Sequence, residues 1–250
     1  MSPSTPGSPT WVDLGTADLD EAQRFYTALF GWAAEVSGDY VTFLLNGLPV
    51  AGAGPLYGVG QPTAWSTYIG TADADEVARR VTAAGGQVLV PPFDVTDQGR
   101  MAAFLDRTGA PFSVWQPGTM RGAGVFDVPG ALTWNELNTR DLQGSMSFYG
   151  AVFGWSFRNS TMDGLPYVVA KVAETPVCGI QPMIGDEWPD DMSPHWMVYF
   201  AVHDCDISAG TALQLGGHVL QPPTSLQVGR YAVLEDPQGG YFAILAGHSR

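Results

Sequence analysis

Apolar positions along this chain switch repeatedly between a period of two and a period near 3.6. Residues 10–15 alternate in the manner of a short strand, and Leu19, Ala22, Phe25, Tyr26, Leu29 and Phe30 then recur at helical spacing with one apolar face. Asp18, with Glu21 three residues on, predicts a capping box at the start of that helix, and Gly31 predicts its end. Strand-like runs follow at 40–45 and 48–53. A second unit repeats the order: a strand at 65–69, a helix over 73–84 stopped by Gly85 and Gly86, then strands near Val88, at 101–105 and at 111–115. The turn from Asp106 to Gly109 joins the last two. The pattern is βαβββ, twice.

The whole pattern then returns. Trp11 recurs as Trp134, and FYTALFGW from Phe25 recurs as FYGAVFGW from Phe148, both at an offset of 123. Tyr40-Val-Thr returns as Tyr167-Val-Val and PVAGAGPL from Pro49 as PVCGIQPM from Pro176, at an offset of 127. Trp65 matches Trp196 at an offset of 131, and GRMAAFLDRTGAPF from Gly99 matches GRYAVLEDPQGGYF from Gly229 at 130. So many ordered matches mark an internal duplication. A Gly/Pro-rich stretch at 116–129 separates the halves. The expected organisation is a disordered tail at 1–8, a first domain at 9–117, a linker at 118–131 and a second domain at 132–247.

Composition changes this picture little. With 250 residues, 31 glycines and 19 prolines, the chain suits many short strands joined by tight turns. The net charge of −14, with Lys171 the one lysine, argues against nucleic acid or an anionic membrane surface as partner. The N-terminal residues lack a signal-peptide pattern and no apolar run is long enough to span a membrane. Cys178 and Cys205 have no metal-site spacing, so a cytoplasmic protein with two reduced thiols is expected.

Paired βαβββ units, with an aspartate-leucine and F-Y-x-x-x-F-G-W after the first strand, a helix ending Gly-Gly and a D-P-x-G turn before the last strand, resemble the vicinal oxygen chelate superfamily. The likeness covers residues 9–247 and is greatest to its tandem-domain glyoxalase/bleomycin-resistance proteins of actinobacterial type, some of which are accessory to aromatic-polyketide antibiotic pathways. It implies an α+β fold of two tandem domains, each a cup-shaped mixed sheet with helices outside and the ligand within. Enzymes of the superfamily hold a divalent metal with His and Glu. Here the corresponding positions fall on Trp11 and Trp134, near Thr67 and Val198, and on Ser113 and Ala243. None is a metal donor of the usual kind, so no metal or other cofactor is expected, and glyoxalase I or extradiol dioxygenase chemistry is disfavoured. Among the histidines, His203 reads as a cap or surface residue and His218 and His248 as solvated, which leaves His195, at the start of a cup strand, as the one candidate to face ligand, with an ordinary structural role as the alternative.

Counting strand alternation from Trp11 and Trp134 places Asp13, Glu136 and Asn138 on the cup face, with Trp65, Trp115 and Trp196 also lining it. The expected site is therefore indole-rich, with Asp13 and Glu136 as candidate acid/base carboxylates and Arg100 and Arg230 as their expected partners. Recurrence of the Arg–carboxylate pair in both halves favours the alternative, a buried bridge that holds the sheet. Indole walls suit a flat aromatic ligand. The leading expectation is a metal-free protein that binds such a molecule for sequestration, resistance or antibiotic biosynthesis. The alternatives are a metal-independent tailoring enzyme (isomerase, cyclase or oxygenase) and a scaffold whose cups are packed shut. The duplication supplies both domains, so no oligomeric partner is required.

Overall fold

The computed structural model describes residues 5–56, 58, 60–162, 164–186 and 188–247. It contains the βαβββ order four times. The first module is β1 (Pro9–Thr16), α1 (Leu19–Phe30), β2 (Ala33–Ser37), β3 (Tyr40–Leu45) and β4 (Leu48–Pro55). The second is β5 (Ala64–Gly70), α2 (Ala74–Ala83), β6 (Gln87–Val95), β7 (Gly99–Leu105) and β8 (Pro111–Pro117). The third is β9 (Leu132–Thr139), α3 (Leu142–Phe153), β10 (Ser156–Met162), β11 (Leu165–Val172) and β12 (Thr175–Pro182). The fourth is β13 (His195–Ala201), α4 (Cys205–Gln214), β14 (His218–Leu226), β15 (Gly229–Glu235) and β16 (Tyr241–Gly247).

Each half forms one eight-stranded mixed sheet, in the orders β2-β3-β4-β1-β5-β8-β7-β6 and β10-β11-β12-β9-β13-β16-β15-β14. Within each module the first strand pairs in parallel with the last, as β1 does with β4 and β9 with β12, and the remaining pairs are antiparallel hairpins. This is the α+β class read from the sequence.

Local chemistry sets the helix ends. Asp18, Asp73, Asp141 and Asp204 each accept a hydrogen bond from the backbone N–H three residues on, which satisfies one of the orphan donors of a helix start. The Gly-Gly after α2 has two separate tasks. Gly85 adopts φ +87°, the left-handed region, while a Cβ on Gly86 would lie 2.8 Å from a ring carbon of Phe148 and 2.7 Å from the Leu105 carbonyl. Gly216 and Gly217 repeat the arrangement after α4, with Phe25 as the neighbouring ring.

That close approach reflects how the cores are assembled. The chain divides into two compact units, and each takes one module from each half. The first unit comprises the described residues up to Trp11 with 67–122 and 134–197; the second comprises 12–66, 123–133 and the described residues from 198. In the first unit Val77 and Val81 of α2 share a core with Phe148, Tyr149 and Val152 of α3 and with Phe104, Phe112, Leu137 and Ile180 of the strands. In the second, Phe25 and Tyr26 of α1 pack with Cys205, Ala209 and Ala212 of α4 and with Val12, Leu14, Phe43, Phe200 and Phe242. Burying one such Phe side chain contributes about 1.5–3 kcal/mol. The tryptophan of each F-G-W run is tied to backbone: Trp32 Nε1 donates to the Gly130 carbonyl and Trp155 Nε1 to the Gly7 carbonyl, both at 2.7 Å. Two residues of the tail expected over 1–8 are packed instead. Gly7 and Ser8 are buried, Gly7 N donates to Gly70 O, and Gly70 N donates to Ser8 O.

Candidate functional site

Strand alternation separates a helix-facing side, which supplies the cores, from a helix-free side. On β1, Val12 and Leu14 enter a core, so Trp11 and Asp13 take the other side. On β9, Leu137 enters a core, so Trp134, Glu136 and Asn138 take the other side. These five lie where the sequence places them. Trp65 and Trp196 do not. Both are core residues, and each donates its indole N–H to a buried tyrosine. Trp65 Nε1 donates to Tyr26 Oη at 2.9 Å, and Tyr26 Oη donates to Asp236 Oδ2 at 2.8 Å. Trp196 Nε1 donates to Tyr149 Oη at 3.0 Å, and Tyr149 Oη donates to Asp106 Oδ2 at 3.1 Å. Burial, followed by the adjacent carboxylate, pushes both phenols well above their usual pKa. The second carboxylate oxygen of each aspartate closes its own hairpin turn, accepting from Thr108 N and Ala110 N or from Gln238 N and Gly240 N. The expectation that these two indoles wall a ligand is overturned because β5 and β13 run one residue out of the assumed phase, and a one-residue slip exchanges the faces.

Arg100 and Arg230 also leave the site. Arg100 pairs with Asp75 at the start of α2 and with Asp94 of β6, and Arg230 pairs with Asp206 of α4. Each tethers a strand to the exposed first turn of a helix and neither partners Asp13 or Glu136. Trp115 stands beside Ser113 on the side opposite the core residues Phe112 and Val114. Its indole N–H is committed to the Met120 carbonyl at 2.8 Å.

A partner of Glu136 is a tyrosine that the sequence analysis did not place in the site. Tyr167 Oη donates to Glu136 Oε2 at 2.8 Å, and Trp134 Nε1 donates to Tyr167 Oη at 3.0 Å. Glu136 is 7% exposed, and burial together with its charge raises the Tyr167 pKa. The same two influences push the neighbouring Cys178 thiol up. Gly179 lies opposite Glu136 in the parallel pairing of β12 with β9, and a Cβ there would sit 1.8 Å from Tyr167 Oη. The absence of a side chain at 179 is therefore what lets the phenol reach the carboxylate. In the first half Gly52 lies opposite Asp13 and makes the same room for Tyr40, whose hydroxyl stands 3.5 Å from Asp13 Oδ2. The repeated Tyr40/Tyr167 and PVAG/PVCG motifs were the available signal.

At the far end of β9, Asn138 is 2% exposed and its Nδ2 lies 3.3 Å from His195 Nε2. His195 Nδ1 lies 2.9 Å from the Ser193 carbonyl, which can only accept, so Nδ1 carries the ring proton and Nε2 accepts from the Asn138 amide. Burial lowers the His195 pKa, which favours this neutral form. Asn138 Oδ1 is enclosed and makes no hydrogen bond. The ring of Trp188 approaches His195 at 6.3 Å. His203 is exposed, His218 lies 3.4 Å from Glu235 at the surface, and His248 is outside the described residues.

The positions that hold metal in the superfamily can be refined by register. Tyr68, not Thr67, lies opposite Ser113, and Tyr199, not Val198, opposite Ala243. Trp11, Tyr68 and Ser113 in one half and Trp134, Tyr199 and Ala243 in the other do not make a divalent-metal donor set. Among the described residues no three His, Cys, Asp or Glu side chains converge on one point.

Residues 8–114 match the family described as the Glyoxalase/Bleomycin resistance protein/Dioxygenase superfamily, and residues 134–245 match its glyoxalase-like domain. The anthracycline biosynthesis protein DnrV of Streptomyces peucetius is 39% identical, covering 98% of this chain and 95% of its own. CFP32 of Mycobacterium tuberculosis is 41% identical, covering 96% and 94%. Among solved structures, the Mn(II)-bound glyoxalase of Novosphingobium aromaticivorans superposes with a TM-score of 0.68 at 17% identity, covering 96% of this chain and 82% of that one. The 2,2',3-trihydroxybiphenyl 1,2-dioxygenase of Sphingomonas wittichii gives 0.65 at 12% identity, covering 97% and 91%. At such identities these two structures speak for the fold alone. The duplicated modules, their motifs and the two matched domains together place this chain in the glyoxalase/bleomycin resistance/dioxygenase superfamily, with two of its domains in tandem.

Proposed function

We propose that this chain binds a planar, hydroxylated aromatic molecule, of the aromatic-polyketide kind, on the helix-free side of its sheets, for sequestration, for resistance or as an accessory in antibiotic biosynthesis. The observation that carries this reading is the Trp134–Tyr167–Glu136 hydrogen-bond chain, whose tyrosine and carboxylate are buried, with the unsatisfied carbonyl of Asn138 on the same side of β9. Rigid aromatic surface with a few fixed polar groups is the composition of a site for flat ligands. The relative named for anthracycline biosynthesis supports the ligand class, because anthracyclines are polycyclic hydroxyquinones. The lack of a donor set among the described residues supports a site that works without metal.

The test is a fluorescence titration of the purified chain with hydroxyanthraquinones and flavonoids. Saturable quenching that weakens in Trp134→Ala supports the reading; no quenching by any member defeats it. A second reading, a metal-independent tailoring enzyme, draws on the 2.8 Å Tyr167–Glu136 contact, the geometry of an acid–base pair. Mass spectrometry of the bound compounds after prolonged incubation separates the two, since only an enzyme returns an altered molecule.

A further inference from the structure

We propose that the second half alone carries a hydroxyl-recognition subsite, in which Asn138 Oδ1 receives the O–H of an aromatic ligand and His195 holds the amide in the orientation that presents it. This rests on the aromatic-ligand reading and names the group that the site selects.

The argument begins with an unmet hydrogen bond. A buried carbonyl without a partner costs about 1–3 kcal/mol, and Asn138 Oδ1 is such an atom. The alternative amide orientation would not relieve it. Turning the amide over would set Oδ1 against His195 Nε2, which carries no proton while Nδ1 donates to Ser193. The Ser193 carbonyl thus fixes the imidazole, the imidazole fixes the amide, and a ligand that displaces the side chains enclosing Oδ1 meets an acceptor already oriented. Only a donor satisfies it, so a hydroxyl is selected over an ether or a ketone.

The first half lacks every part of this arrangement. By the repeat offsets of 123 and 131, Asn138 corresponds to Gly15 and His195 to Ala64. A Cβ on Gly15 would meet a methyl of Leu56 at 3.3 Å, so an apolar side chain lies close to where the amide would begin. The carboxylates differ in the same sense. Glu136 is buried and bonded to its tyrosine at 2.8 Å, whereas Asp13 is only half-buried and lies 3.5 Å from its own.

Two measurements test the subsite. In the first, naphthol and its methyl ether are titrated against the wild-type chain and Asn138→Leu. The wild type is expected to prefer naphthol about tenfold, the equivalent of one well-made hydrogen bond. In Asn138→Leu, which removes both the unsatisfied carbonyl and the amide bond to His195, the preference should fall to about one. In the second, the Asn138 side-chain amide resonances are followed by NMR during addition of phenol or anisole; phenol should shift them and anisole should not. Equal binding of naphthol and its ether with no response to phenol overturns the subsite but leaves aromatic binding standing. A response to phenol with no binding of any polycyclic compound supports the subsite and removes the broader reading. A preference for naphthol retained in Asn138→Leu would overturn the proposal.

Discussion

The Tyr149 hydroxyl accepts one hydrogen bond and donates another, and both are buried. Replacing it with Phe leaves Trp196 Nε1 and Asp106 Oδ2 unsatisfied at once, so Tyr149→Phe should cost about 2–4 kcal/mol in urea unfolding. Tyr26→Phe should behave alike, since Tyr26 stands between Trp65 and Asp236. A loss below half a kcal/mol in both, an order-of-magnitude bound for a solvated tyrosine, would refute the buried relay. His195 makes a separate prediction with a definite sign. Its folded pKa is depressed below the ordinary value of 6.5, chiefly by burial. The neutral ring therefore favours the fold fully above pH 6.5, and that contribution is lost as pH falls through 6.5 toward the folded value. Wild type minus His195→Gln stability, measured by chemical denaturation across this range, should decline as pH falls; parallel pH profiles would contradict it. Arg100 and Arg230 were matched to the wrong carboxylates because pairing across strands depends on the face a side chain takes. Trp65 and Trp196 were misplaced by a single step of phase.

At the scale of the element, far more was legible. Helix starts follow from aspartates that accept the N–H three residues on, and those appear in the chain as plain spacing. Turn aspartates and the Gly-Gly endings are equally plain. Which way a strand faces is not, because period-two alternation leaves its phase open until the partner strand is known. The tyrosines of β3 and β11 show this: their repeat is visible in the sequence, but their reach to Asp13 and Glu136 depends on glycines in β4 and β12. Gly179→Ala is predicted to push Tyr167 off Glu136 and to cost about 1–3 kcal/mol, as overpacking does. Near-UV circular dichroism should change with it, since the added methyl also lies 3.0 Å from Trp134 Nε1. Gly210, inside α4 with open space around its Cβ position, supplies the contrast. Gly210→Ala should stabilise by about 0.5–1 kcal/mol through helix propensity. If both substitutions proved neutral, the close packing at 179 would not be the reason for its glycine.

At the scale of the whole molecule, the sequence repeat divides the chain at its middle, whereas each core draws one module from either side of that division. A fragment of residues 1–122 therefore carries half of two cores and completes neither. Such a fragment should show no cooperative thermal transition, and mixing it with residues 123–250 should restore one; a sharp transition in the fragment alone would disprove the shared cores. The crossed cores also make the duplicated chain its own control for divergence. Side chains that must meet a partner drawn from the opposite copy recur in both, as Tyr26 and Tyr149 and Asp236 and Asp106 do. At the far end of β1 and β9, Gly15 and Asn138, which belong to neither core, have parted company. Interlocking at one surface has thus left the other open to specialise, and one copy can acquire a new ligand while its twin keeps the architecture standing.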